Sequence, residues 1–111
     1  MSWVIKYLPE VRDDLKSFDH SQITTIRKAI KKVQQNPLPA QEGGYGKPLG
    51  KRNRRNLTNY QKIKLLREGI RIVYKVIKKD KQMLIIVIAA REDEAVYDIA
   101  EKRIRRHQLE L

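Results

Sequence analysis

Three apolar runs in close succession, Asn59 to Leu66, Ile70 to Ile77 and Met83 to Ala90, constrain this chain more than any other feature. The first two alternate apolar and polar residues, the pattern of strands with one buried face. Arg67-Glu68-Gly69 separates them, and Gly69 suits the positive φ of a tight turn. Lys78 to Gln82 makes the next turn. Connections this short join antiparallel neighbours. Met83 to Ala90 is apolar on both faces and predicts a central strand covered on both sides.

The residues before this meander predict a short strand and two helices. Trp3 to Tyr7 reads as the strand. Pro9 fits the first turn of a helix, with Glu10, Asp13 and Asp14 near its positive end. Val11, Leu15 and Phe18 follow at helical spacing. Asp19 or Ser21 can cap a second helix, whose apolar stripe is Ile23, Ile26, Ile30 and Val33. Asn36-Pro37-Leu38-Pro39 ends it, and residues 36–57 read as a long Gly- and Pro-rich loop. Gly46-Lys47 is not a phosphate-binding P-loop: Pro48 follows, and position 41 is Gln. After the meander, Glu92 to about His107 predicts a last helix, acidic at its start and basic at its end. The order β-α-α-β-β-β-α implies an α+β fold. An antiparallel sheet carries an N-terminal helical hairpin on one face, with a C-terminal helix, and the opposite sheet face is left for charge. At 111 residues, a single domain spanning 1–111 is expected.

Charge then narrows the function. The net charge is +12, and between Gly43 and Lys79 twelve Lys and Arg residues accompany one acid, Glu68. Solubilising surface charge mixes both signs. A one-sign segment predicts a polyanionic partner. There is no cysteine, so neither a disulfide nor a thiolate site is possible. The N-terminus lacks a signal-peptide apolar region, and Met83 to Ala90 is too short to span a bilayer, so a cytoplasmic protein without a membrane role is expected. Acids and histidines are not clustered at ligand spacing, and neither metal nor cofactor is expected.

The cations fall into a pattern. Lys62 and Lys64 share one strand face, about 6.7 Å apart along the chain, while Ile63 and Leu65 face a core. Arg71 lies across the hairpin, on the face opposite Ile70, Ile72, Tyr74 and Val76. Arg91 stands just past the last strand, and Tyr97 lies in the last helix. Each has a plainer reading: a solvated strand lysine, an Arg71–Glu68 pair, a local pair of Arg91 with Glu92 to Glu94, a core tyrosine.

The spacing of Lys62-Ile63-Lys64-Leu65, Gly69-Ile70-Arg71-Ile72-Val73-Tyr74, Arg91, Glu94-Ala95-Val96-Tyr97 and Lys102-Arg103-Ile104 resembles the RelE-type toxins of bacterial toxin–antitoxin modules (the RelE/ParE superfamily). The resemblance implies a ribosome-dependent endoribonuclease that cuts mRNA in the ribosomal A site. It implies an active site of Lys62, Lys64, Arg71, Arg91 and Tyr97. It also implies a RelB-like antitoxin that occludes this site, and binding to operator DNA only through the antitoxin complex. Lys47, Lys51, Arg52, Arg54, Arg55 and Lys75 are expected to contact RNA or the ribosome, including 16S rRNA. Arg52, Arg54 and Arg55 enlarge the loop relative to the family, Ile70 stands where some relatives carry Tyr, and Asp93 stands where some have a further basic residue.

RNA is cut when its 2′-hydroxyl attacks the adjacent phosphorus, which calls for a base, stabilisation of the phosphorane oxygens and help for the leaving 5′-oxygen. His20 and His107 read as surface residues, so the proton work falls to other groups. Lysine ordinarily titrates near about 10.4, and neighbouring cations lower that value. Lys62, with Lys64 as the alternative, is the expected base. Arg71 and Lys64 stabilise the phosphorane, Arg91 serves the leaving group, and Tyr97 orients the substrate or stacks on it. Two other readings remain open: a ParE-like gyrase inhibitor, and a nucleic-acid-binding relative that cuts nothing.

Overall fold

The computed structural model describes residues 3–52 and 55–109, with the backbone alone at 51, 52, 55 and 56. The expected elements form where local chemistry favours them. Strand β1 (Val4–Tyr7) leads into helix α1 (Pro9–Lys16), with Pro9 in its first turn. Helix α2 (His20–Gln34) begins with a capping box. The Asp19 carboxylate accepts from Gln22 N, and the Gln22 side chain accepts from Asp19 N. Then come β2 (Lys47–Arg52), β3 (Arg55–Leu65), β4 (Ile70–Ile77), β5 (Gln82–Ala89) and α3 (Asp93–Arg106). Both turns of the meander use left-handed residues, Gly69 at φ 67° and Lys81 at φ 50°.

Two features depart from the sequence reading. Residues 47–52 are a strand where a loop was expected, and β2 pairs antiparallel with β3. Pro48 and Gly50 disguise it. Proline is tolerated on an edge strand, and the pairing is irregular between these two residues. The sheet is also mixed. Its order is β1-β5-β4-β3-β2, with β1 parallel to β5 and the other pairs antiparallel. The two parallel strands are joined not by a tight turn but by the helical hairpin together with β2, β3 and β4, which ample chain length permits. Residues 36–46 form a loop closed on itself by backbone bonds such as Tyr45 N to Asn36 O at 2.9 Å and Ala40 N to Gly46 O at 2.9 Å. Gly46 is glycine for a packing reason. A Cβ there would lie 2.7 Å from Tyr74 Oη and 3.0 Å from both Gln61 Oε1 and the Leu38 carbonyl.

Cross-strand register separates the two faces of the sheet. Ile63, Ile72 and Ile88 are paired neighbours on one face, and Ile88 lines a cavity with Val11, Leu15, Ile26 and Ile30 of the hairpin. Lys64, Arg71 and Ala89 share the other face, as do Lys62, Val73 and Val87. Helix α3 lies on that second face, so helices cover both sides of β4 and β5 instead of one. Burial on both faces accounts for the continuous apolar run of β5, in which Ile85, Ile86, Val87 and Ile88 are all buried.

β1 ends opposite Ile85, and beyond it the β5 edge needs other partners. Asp14 of α1 accepts the Ile88 N–H at 3.0 Å, and Arg103 of α3 donates to the Ile86 carbonyl at 3.0 Å. The same two side chains form a bidentate pair at 2.7 and 2.8 Å. One ion pair thus joins α1, α3 and the open edge of β5. Its hydrogen bonds to Asp14 push the Arg103 guanidinium above its ordinary pKa, against the opposing effect of burial. Asp14→Ala should lower unfolding stability by about 3 kcal/mol, because it strands a part-buried guanidinium and an edge N–H. Asp13→Ala, at an exposed pair with Lys16, should stay within about 0.5 kcal/mol. Urea denaturation of both variants checks the contrast.

Candidate active site

Period two and register bring the sequence-predicted cations together. Lys64 and Arg71 are directly opposed on β3 and β4, and Lys62 is two residues along on the same face. Lys47 of β2 is the cross-strand neighbour of Lys62. Two cations directly opposed on a sheet repel one another. The start of α3 removes that conflict. Asp93 Oδ2 accepts from Lys64 Nζ at 2.9 Å, and Asp93 Oδ1 accepts from Arg71 Nε at 2.7 Å. Arg71 Nη1 also donates to the Gly69 carbonyl at 3.2 Å, which orients the guanidinium from its own turn. The three side chains are each roughly a quarter exposed, at 24% for Lys64, 22% for Arg71 and 25% for Asp93.

Tyr97 lies one helical turn after Asp93 on the same face of α3. It is buried, and its hydroxyl accepts from Lys62 Nζ at 3.3 Å. The same ammonium is 5.9 Å from the Tyr97 ring centroid. The tyrosine therefore reaches the cationic face through its hydroxyl end. Arg91 is exposed in the turn before α3, two residues from Asp93. Lys75 sits over the ring of Tyr60 at 5.3 Å. Of the residues expected to contact RNA, Arg54 lies outside the described residues, as do the side chains of Lys51, Arg52 and Arg55. Among the described residues no cluster of His, Asp, Glu or Cys is arranged to hold a metal ion.

Asp93 is the site residue that sequence reasoning missed. The Gly43 to Lys79 segment is almost free of acid, but the folded face it builds is not. Arg71 pairs with Asp93, not with its near neighbour Glu68. A signal was present. Asp93, Tyr97, Ala100 and Ile104 form one helical stripe, so a helix that turns Tyr97 to the sheet turns Asp93 there as well. The two histidines are elsewhere. His20 opens α2, and His107 closes α3, about 20 Å from Asp93 along the helix. His107 Nε2 is 2.9 Å from Glu10 Oε1, and Arg106 donates to Glu10 Oε2 at 2.7 Å.

No family profile matches this chain. A RelE-like toxin protein of Escherichia coli is 30% identical over 108 residues, spanning 95% of this chain and all of the relative. The chain belongs to the RelE-like toxin family. The fold is that of solved RelE structures. An E. coli RelE carrying two arginine-to-alanine substitutions, in the free state, aligns over 94% of this chain and 99% of its own, with a TM-score of 0.71 and 24% identity. The isolated E. coli RelE toxin aligns over 93% and 99%, with a TM-score of 0.65 and 22% identity. RelE in the intact E. coli RelBE toxin–antitoxin complex aligns over 82% and 99%, with a TM-score of 0.62 and 19% identity.

The site's electrostatics fix an acid response. Burial alone would raise the Asp93 carboxyl, but hydrogen bonds and charge from Lys64 and Arg71 outweigh it and lower the group from 3.8 to about 2. Burial likewise opposes, and bonds from its own backbone, His107 and Arg106 override, at Glu10, which falls from 4.5 to about 2. A carboxylate depressed in the folded state contributes stability above its unfolded pKa and loses it as pH falls through the folded value. Both contributions are therefore complete above about pH 4.5 and gone below about pH 2. Asp93→Asn and Glu10→Gln should each flatten the fall in thermal midpoint across that window, and melting curves collected from pH 6 to pH 2 check it.

Proposed function

We propose that this RelE-like toxin is a ribosome-dependent endoribonuclease that cleaves mRNA in the ribosomal A site, acting in the cytoplasm and held inactive by a cognate RelB-like antitoxin. The observation that carries the reading is the gathering of Lys62, Lys64, Arg71 and the Tyr97 hydroxyl on one sheet face at the start of α3, with Arg91 exposed two residues before Asp93. Family membership supports it, and RelE of E. coli is known in complex with RelB. Binding of operator DNA would follow only from the antitoxin complex. Among the described residues no helix is long and apolar enough to cross a membrane.

In the proposed reaction the 2′-oxygen bonds to phosphorus as the bond to the 5′-oxygen breaks, leaving a cyclic phosphate and a 5′-hydroxyl. Lys62, in its neutral form, takes the 2′-hydroxyl proton. The Tyr97 hydroxyl positions its amine. Lys64 and Arg71 meet the non-bridging oxygens, whose charge grows in the transition state. Arg91 stabilises the departing 5′-oxygen, which takes a proton from solvent water to become the 5′-hydroxyl. Lys47 and Lys75, with Lys51, Arg52, Arg54 and Arg55, supply the field that holds RNA and rRNA backbone. Among the described residues no imidazole or unpaired carboxylate serves this site, so its own proton chemistry is weak. Alignment of the 2′-oxygen with the phosphorus by the ribosome would supply much of the rate, since such positioning can contribute on the order of 7–11 kcal/mol.

Primer extension on programmed 70S ribosomes tests the reading. Wild type should cut mRNA in the A site and leave free RNA largely intact. Arg71→Ala and Arg91→Ala should each cut at least about 100-fold more slowly. Lys62→Arg keeps the charge and removes the base, so it should be similarly slow. Absence of A-site cuts by folded wild type would refute the nuclease, and a gyrase supercoiling assay would then test the ParE-like alternative.

A further inference from the structure

The anion between Lys64 and Arg71 belongs to the protein itself. Each cation bonds a different oxygen of the Asp93 carboxylate, at 2.9 and 2.7 Å. Two oxygens on one central atom, each met by one cation, is also how the non-bridging oxygens of a phosphodiester are held. Part of the subsite's shape is set without Asp93. Arg71 is oriented by the Gly69 carbonyl, and Lys64 is fixed opposite it by strand register. All three side chains keep solvent contact, so an arriving phosphate can reach both cations without unfolding the sheet. Asp93 also has an alternative once displaced, because a carboxylate in the first turn of α3 remains favourable beside the helix N-terminus.

We propose that Asp93 is a built-in competitor for phosphate: it occupies the phosphodiester subsite of Lys64 and Arg71 and must be displaced before RNA can bind there, which makes it a specificity-determining residue. The competition is intramolecular and acts at a high effective concentration. RNA free in solution offers its phosphates at low concentration and loses this contest. RNA already held in place meets Asp93 on equal terms and wins. The carboxylate thus discriminates against free RNA. In respect of RNA, this inference rests on the nuclease reading. The binding of an anion at this subsite does not.

Calorimetric titration with inorganic phosphate at constant ionic strength tests it on four proteins: wild type, Asp93→Asn, the double variant Asp93→Asn/Arg71→Ala, and Asp80→Asn. The last makes the same charge change at an exposed turn between β4 and β5. Asp93→Asn should bind phosphate about tenfold more tightly than wild type, while the other two stay near the wild-type value. Equal affinity of folded Asp93→Asn and wild type would overturn the proposal, as would an equal gain in Asp80→Asn. A measurement on wild type needs no variant to fold. In protein with 13C-labelled aspartate, saturating phosphate should move the Asp93 carboxyl resonance, and an unmoved resonance would also overturn it. Ribosomal cleavage reports separately: a phosphate gain in Asp93→Asn without A-site cuts by wild type keeps the competitor and removes the nuclease, and the reverse result does the opposite.

Discussion

The candidate site of this protein depends on one unfavourable arrangement, two cations opposed across a hairpin. The turn ending at Gly69 fixes the β3–β4 register, and that register sets Lys64 against Arg71. A sheet holds side chains more rigidly than a loop does, so these charges cannot simply swing apart. Their repulsion needs a counter-ion. In the protein it is Asp93, and in the proposed reaction it is a phosphate. Helix α3, packed through its buried stripe, meets this need. Its first turn brings the carboxylate, the next turn brings Tyr97 to Lys62, and the remaining stripe of Ala100 and Ile104 is buried.

The far end of α3 is held by a separate device. Arg103 and Asp14 close the edge of β5 beyond β1 while pairing with each other, and Glu10 gathers Arg106 and His107. Helix α3 is thus anchored by charge at both ends and by apolar packing between them. Its acidic start and basic end match its dipole. In this structure the same residues also make tertiary contacts, which a dipole argument alone does not reveal.

The Asp93 bridge changes the account of how lysine could act as a base. Lys62 is the cation of the cluster bonded to a neutral hydroxyl, while Lys64 and Arg71 share the carboxylate. In the proposed reaction Lys62 serves proton transfer and the other two bind the anion. Displacement of Asp93 by a substrate phosphate would replace one anion by another.

Strand spacing, helix caps and the two tight turns were legible in the chain, because period and turn chemistry are local. The facing of Lys62, Lys64 and Arg71 followed from the same local rules. Strand β2 was hidden because Pro48 and Gly50 mark a loop unless an edge position excuses them, and an edge position is a tertiary fact. The parallel pairing of β1 with β5 joins segments nearly eighty residues apart. The stripe ties Asp93 to the face of Tyr97, but the side of the sheet that α3 covers, and hence the meeting of Asp93 with Lys64 and Arg71, is not fixed by local pattern. A helix stripe tells which residues turn inward but not which face they meet. The sequence by itself thus determined the cations and their common face, through the two-residue period of a strand. Only the tertiary structure decided their counter-ion, because the contact spans 29 residues from Lys64 to Asp93 and rests on where a helix packs.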